Sequence, residues 1–214
     1  VIRLLFSVSI LAGLAHLITI PWHPFPGVIV LKGLTVAPLA LAAALRRRWW
    51  LATALALGSL GDVLLGLHGM FLAGLGAFLG GHLCYIRYFI VLPAAPGRVL
   101  APVALVVAML GYGVWLSPSL GSMAVPAWLY LIAITGMAVT VVRARLAAPW
   151  AALGAIFFLI SDATLAANRF HGRFAAASWI IWGTYCVAQI GLAWGGVNNA
   201  VIQAPEGRAT LQEK

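Results

Sequence analysis

Two aspartates stand inside runs that are otherwise apolar or small: Asp62 in LGSLGDVLLGL (57–67) and Asp162 in AIFFLISDATLAA (155–167). Of the four acids in the chain, the other two, Glu206 and Glu213, lie near its C-terminal end. An ionised carboxylate in apolar surroundings is costly unless it is paired or hydrated, so such residues turn to the interior of a helical bundle and commonly mark a site. Two carboxyl groups held close together share a proton and supply an acid and a base in one pocket. No combination of His, Cys and acid has metal-ligand spacing, so neither a metal nor another cofactor is expected. Cys84 and Cys186 fall in apolar runs without a CxxC pattern and read as buried thiols.

The elements that must position these acids follow from composition. The 214 residues are 64% hydrophobic and 8% charged, with a mean hydropathy of +1.05. That leaves too little charge for a water-exposed surface, and the apolar runs recur at about the 20 residues that span a bilayer. The fold class expected is all-α, a polytopic membrane bundle of eight spans: 2–20, 28–45, 49–67, 70–92, 99–117, 124–142, 148–167 and 175–197. The N-terminal run resembles a signal peptide in charge and apolarity but reads as the first span, because no soluble domain follows it. One integral-membrane domain is expected over 1–200, with a polar tail over 201–214. The breaks carry turn chemistry, as in PWHPFPG, PAAPGR and SPSLGS.

A formal charge of +9 does not point to nucleic acid, because the basic residues flank apolar runs. Arg3, Arg46, Arg47, Arg48, Arg98, Arg143, Arg145, Arg208 and Lys214 fall on one side; Arg169 and Arg173 fall on the other. Both termini are therefore expected in the cytoplasm, and the chain in the cell membrane, the inner one of a bacterium. Spans 3 and 7 then run outward, and both aspartates sit roughly 7–8 Å below the outer apolar boundary. His16, Lys32, Tyr112 and Tyr130 fall near the same level on spans 1, 2, 5 and 6. With Ser161 beside Asp162, they are the candidate binding residues around a cavity open to the outer leaflet.

A purely structural reading stands beside this one. The aspartates could form helix-to-helix ion pairs with Lys32 or His16, or hydrogen bonds with Ser59 and Ser161. Lys32 alone could snorkel to the interface. His82 reads as a hydrogen-bond partner for a neighbouring helix, and Tyr85 and Tyr185 as packing residues. Trp49 and Trp50 read as an interfacial anchor, and GAFLG (76–80) and GLAWG (191–195) as close helix contacts. An offset of one hundred aligns Asp62 with Asp162, but the surrounding identity is too slight to carry a repeat. Intramembrane aspartyl proteolysis fits only in part: Ser59, Leu60, Gly61 and Asp62 lack the first glycine of G-x-G-D, and no tyrosine precedes Asp162.

Taken together, LKGLTVAPLALAAAL, GSLGDVLL, MFLAGLGAFLGGHLCY with its Phe78, His82 and Tyr85, YLIAITGM and GAIFFLISDATLAANRF resemble the YhhN family of membrane proteins, which includes lysoplasmalogenases. Gly33 departs from the proline expected after Lys32 in many relatives. The resemblance implies hydrolysis of the vinyl ether bond of lysoplasmalogens, giving a fatty aldehyde and glycerophosphoethanolamine or glycerophosphocholine. It implies Asp62 and Asp162 as the acidic pair, with Lys32 beside them, and a lysophospholipid among membrane lipids as the partner. Asp162 is the expected proton donor, because Lys32 on span 2 lies nearer Asp62 on span 3. Two other readings stay open: a proton-coupled transporter using the two aspartates, and a lipid-binding scaffold. Oligomeric state and headgroup preference are not legible.

Overall fold

A computed structural model describes residues 1–23 and 27–199. The tail expected at 201–214, with Glu206 and Glu213, lies outside the described residues. Among those residues are eight α-helices: α1 (Ile2–Thr19), α2 (Val28–Leu45), α3 (Trp49–Leu65), α4 (Phe71–Ile90), α5 (Leu100–Leu116), α6 (Ala124–Arg143), α7 (Trp150–Ala166) and α8 (Ala177–Val197). They pack as an all-α bundle.

Six helical stretches are long and apolar enough to cross a membrane, and they contain α1, α2, α5, α6, α7 and α8. The other two differ for separate reasons. Helix α3 is apolar but has 17 residues. Helix α4 has 20, but Gly74, Gly76, Gly80, Gly81, His82 and Arg87 lower its hydropathy. Its inward face buries Phe78, His82, Tyr85 and Phe89 in the bundle, while Leu72, Leu83 and Ile90 are exposed.

The strongest pairings are α7 with α8, α3 with α4, α2 with α3, and α1 with α2. Helix α5 stands outside this ring against α6 and turns Val103, Val107, Leu110 and Val114 outward. An outward apolar face is what a bilayer-embedded bundle presents in place of a charged surface. The core is filled by Leu39, Leu55, Phe89, Met137, Phe158 and Leu192.

The α7–α8 seam depends on glycines. A Cβ at Gly154 would meet the Ala188 carbonyl oxygen at 2.7 Å, and one at Gly191 would meet the Trp150 carbonyl oxygen at 2.7 Å. Backbone cannot yield as a side-chain tip can, so small residues here let the helices touch. GLAWG is therefore a contact motif, since Gly195 likewise abuts Ala151. GAFLG is one only at its end: Gly76 faces open space, and the α4 glycines that meet α3 are Gly74, Gly80 and Gly81. Gly154→Ala is expected to lower detergent-state stability by about 1–3 kcal/mol through overpacking. Gly76→Ala, with nothing near it, should leave the unfolding temperature unchanged or slightly higher.

Candidate active site

Asp62 sits one turn from the end of α3, next to Gly61, whose missing side chain makes room for the Phe78 ring of α4. Ser59, on the same helix, donates a 3.1 Å hydrogen bond to the Gly33 carbonyl, tying α3 to α2 beside Lys32. Asp162 lies near the end of α7, after Ser161, whose hydroxyl donates to the Ile181 carbonyl of α8 at 3.0 Å. Both carboxyl groups line one cavity of about 830 Å³, which Lys32, Tyr112, Tyr130 and Ser161 also line. Lys32 and Asp62 are close enough for each charge to act on the other, and so are the two aspartates.

His16 is not a lining residue. Its ring packs on Trp182 at 4.1 Å and His23 at 4.7 Å, and Trp182 supplies the wall in its place. His23, in the turn beyond α1, is held below the ordinary histidine range by burial and then by the Lys32 charge. It is therefore neutral near pH 7 and adds no charge there.

Each aspartate receives a tyrosine hydroxyl, and each tyrosine is oriented from behind. Tyr185 of α8 donates to Asp62 Oδ2 at 2.8 Å. The Gln189 amide, one turn on, donates to the Tyr185 oxygen at 2.9 Å, and Tyr85 donates to Gln189 Oε1 at 2.7 Å. On the other side Tyr130 of α6 donates to Asp162 Oδ2, and His82 Nε2 lies 2.9 Å from the Tyr130 oxygen and 3.9 Å from the carboxylate. His82 Nδ1 is buried without a partner. An orphaned buried N–H costs more than an orphaned lone pair. The proton therefore belongs on Nε2, pointing at Tyr130 and leaving the tyrosine hydrogen for Asp162. Asp62 is 5% exposed and the Asp162 side chain 14%, so both face the cavity rather than bulk water.

The cavity is amphipathic. Its floor is the two carboxyl groups with their tyrosines and Lys32. One wall, from α4, α5, α6 and the turn before α6, carries Phe71, Leu75, Leu116, Met123 and Leu131. The rim next to Phe71 carries Asn168, Arg169 and Arg173, from a π-helical turn (Ala167–His171) and the loop after it. A space of this size is in the range that encloses a small amphiphile.

Tyr185, Gln189, Arg169 and Arg173 were not among the residues expected in a site. The readable signal was Gln189, an amide in an apolar span, with Tyr185 four residues before it on the same helical face. His82 does make the interhelical hydrogen bond expected of it, and its partner is a residue on an aspartate.

The family model for YhhN matches residues 27–196, which hold both aspartates, Lys32 and the whole lining of the cavity. The chain belongs to the YhhN family. His16 and His23 precede the matched region. Proteins called lysoplasmalogenase from Mycobacterium bovis (strain ATCC BAA-935 / AF2122/97) and Mycobacterium tuberculosis (strain CDC 1551 / Oshkosh) are each 41% identical to this family member over 154 residues, 68% of this chain. The match spans 59% of those relatives' length. No solved structure matches the chain.

Proposed function

We propose that this chain is an integral-membrane hydrolase that cleaves the vinyl ether bond of lysoplasmalogens, releasing a fatty aldehyde and the glycerophospho-headgroup. The observation that carries the proposal is the pair of carboxyl groups at the floor of one amphipathic cavity. The name borne by the mycobacterial relatives agrees with it. The protein acts as one integral-membrane unit over residues 1–200, with both termini cytoplasmic by the distribution of arginines. The cavity then opens toward the outer leaflet.

The chemistry uses only the two acids and water. Asp162, protonated, gives its proton to the β-carbon of the vinyl ether, and the electron pair of the ether oxygen makes an oxocarbenium ion. Asp62, as carboxylate beside Lys32 and under the Tyr185 hydroxyl, faces that cation. It then takes a proton from the water that adds to the α-carbon. In the collapse of the hemiacetal, Asp162 takes the hydroxyl proton and Asp62 returns its own to the departing glycerol oxygen. Both acids end as they began, in the manner of paired glycosidase carboxyls. Tyr130 and Tyr185 hold the carboxyl groups in place, since each is oriented by an N–H behind it. Tyr112, whose hydroxyl is committed to the Ala163 carbonyl at 2.6 Å, shapes the wall.

The test is aldehyde release from a 1-alkenyl lysophospholipid by the purified full chain in detergent, beside the 1-acyl analogue. Release from the alkenyl lipid alone is expected. A folded protein that releases no aldehyde, but takes up a solute against a proton gradient in proteoliposomes, would replace the hydrolase reading with the transporter one. Within the hydrolase reading, Tyr130→Phe should slow the reaction by roughly ten- to hundredfold with the binding of a saturated ether analogue unchanged, as single-turnover and binding measurements would show.

A further inference from the structure

We infer that Arg169 and Arg173 form a phosphate subsite at the rim of the cavity, and that headgroup recognition ends at the phosphate. The inference rests on the hydrolase reading for its substrate but not for its binding test. Its starting point is charge. Both arginines line the cavity whose floor holds Asp62 and Asp162, and those two are the only acids among the described residues. Neither arginine has a carboxylate within ion-pair distance among the described residues. Among the described residues the rim is thus a positive pole without a paired carboxylate.

The rim is also built. The Arg169 guanidinium carbon lies 3.6 Å from the centroid of the Phe71 ring on α4, and Phe71 meets Phe170 edge to face. Stacking fixes the plane of the guanidinium while leaving its N–H edge to bind an anion, the arrangement in which arginine recognises phosphate best. The loop that follows is pinned: the Phe174 backbone N–H donates to Asn168 Oδ1 at 3.2 Å, and the Gly172 N–H to the Ala167 carbonyl at 3.0 Å. That loop brings Arg173 back to the rim that Arg169 occupies, beside Ser178 in the first turn of α8.

Length agrees with this assignment. Arg169 follows Asp162 by seven residues, which is about 10 Å along a helix. In a 1-alkenyl glycerophospholipid, seven bonds separate the carbon to be protonated from phosphorus, about 8–9 Å when extended. A phosphate on the arginines therefore leaves the vinyl ether at the carboxyl groups. The chain runs along the apolar wall of the cavity, through Leu75, Leu116, Met123 and Leu131. That wall is why the phosphate of an amphiphile, rather than free phosphate, is the ligand.

Among the described residues the rim has no acid to hold an ammonium group. Choline and ethanolamine should therefore be equivalent, and a phosphomonoester, with more charge, should bind better than either. The uncharged alkenylglycerol should bind worst.

The experiment measures binding and turnover separately. Binding of saturated 1-alkylglycerol, its 3-phosphate, its phosphocholine and its phosphoethanolamine is followed in detergent, with inorganic phosphate as a fifth probe. The wild type, Arg169→Gln, Arg169→Lys and Arg173→Gln are compared. The phosphate should bind tightest, the two diesters alike within about twofold, and the uncharged lipid at least about tenfold more weakly. Either glutamine variant should weaken binding of the phospholipids about tenfold and leave alkylglycerol unchanged, with Arg169→Lys between. Arg173, exposed and unstacked, is the variant least able to disturb the fold.

Equal binding of alkylglycerol and its phosphate, or glutamine variants that bind the phospholipids normally, would overturn the inference. So would inorganic phosphate binding as tightly as the lipid phosphate. Failure of every alkenyl lipid to release aldehyde, with this binding pattern intact, would instead overturn the hydrolase reading and leave the subsite standing.

Discussion

Asp162→Asn and Asp62→Asn should each lower aldehyde release by about 10²–10⁴-fold, the range assigned to a positioned general acid or base. The double variant should be little slower than the slower single one. The carboxyl groups exchange roles within one cycle, so removing either interrupts the same sequence, and effects of groups that act as a unit do not add. Asparagine keeps the shape of each side chain and an oxygen to accept from Tyr130 or Tyr185. A folded protein that still binds the saturated lipid is therefore expected, and lost turnover then reports lost proton transfer. The two variants differ in what survives. Asp162→Asn has no proton to give and should not form the cation, so single-turnover consumption of the alkenyl lipid stops. Asp62→Asn can still protonate the substrate and should show slow, water-dependent release. Turnover within about tenfold of wild type in either variant would remove that aspartate from the chemistry.

Much of this arrangement could be read from the chain, and the limit of the reading has a physical cause. Eight helices at nearly the expected positions follow from apolar runs punctuated by glycine, proline and arginine. An aspartate in such a run has one favourable direction to face, and Asp62 and Asp162 do line one cavity. Depth along a helix is fixed by counting residues, but rotation about its axis is not. His16 lies at the expected level, and Trp182 stands between it and the cavity because of how α1 meets α8. Tyr185 reads as a packing residue from sequence, because the face it presents, toward Asp62, is set by the rotation of α8. Arg169 and Arg173 were legible only as topology signals. Arg169 meets Phe71 from another helix, a contact that no local pattern announces.

Gln189→Leu should cost about 2–4 kcal/mol of stability and slow turnover by at least tenfold, because one amide holds two hydroxyls. Gln189 is fully buried. Its oxygen accepts from Tyr85, which is 1% exposed, while its nitrogen donates to Tyr185. Leucine would leave the Tyr85 hydroxyl a buried donor without an acceptor. It would also free Tyr185 to rotate away from Asp62, because the N–H that sets its orientation is gone. The amide packs closely on α3, where a Cβ at Gly58 would come within 2.8 Å of the Gln189 nitrogen. If these groups form one network, Tyr85→Phe should rescue stability in the Gln189→Leu background, since replacing both partners of a buried hydrogen bond is far cheaper than replacing one. It should not rescue turnover, because Tyr185 still lacks its donor. A double-mutant cycle on detergent unfolding, run beside the aldehyde assay, separates the two effects. Stability losses that add to within about 0.3–0.5 kcal/mol would show that Gln189 does not couple the tyrosines. The orientation of Tyr185, and with it the way Asp62 is held, would then have to come from the packing of Phe78, Phe158 and Trp182 around its ring.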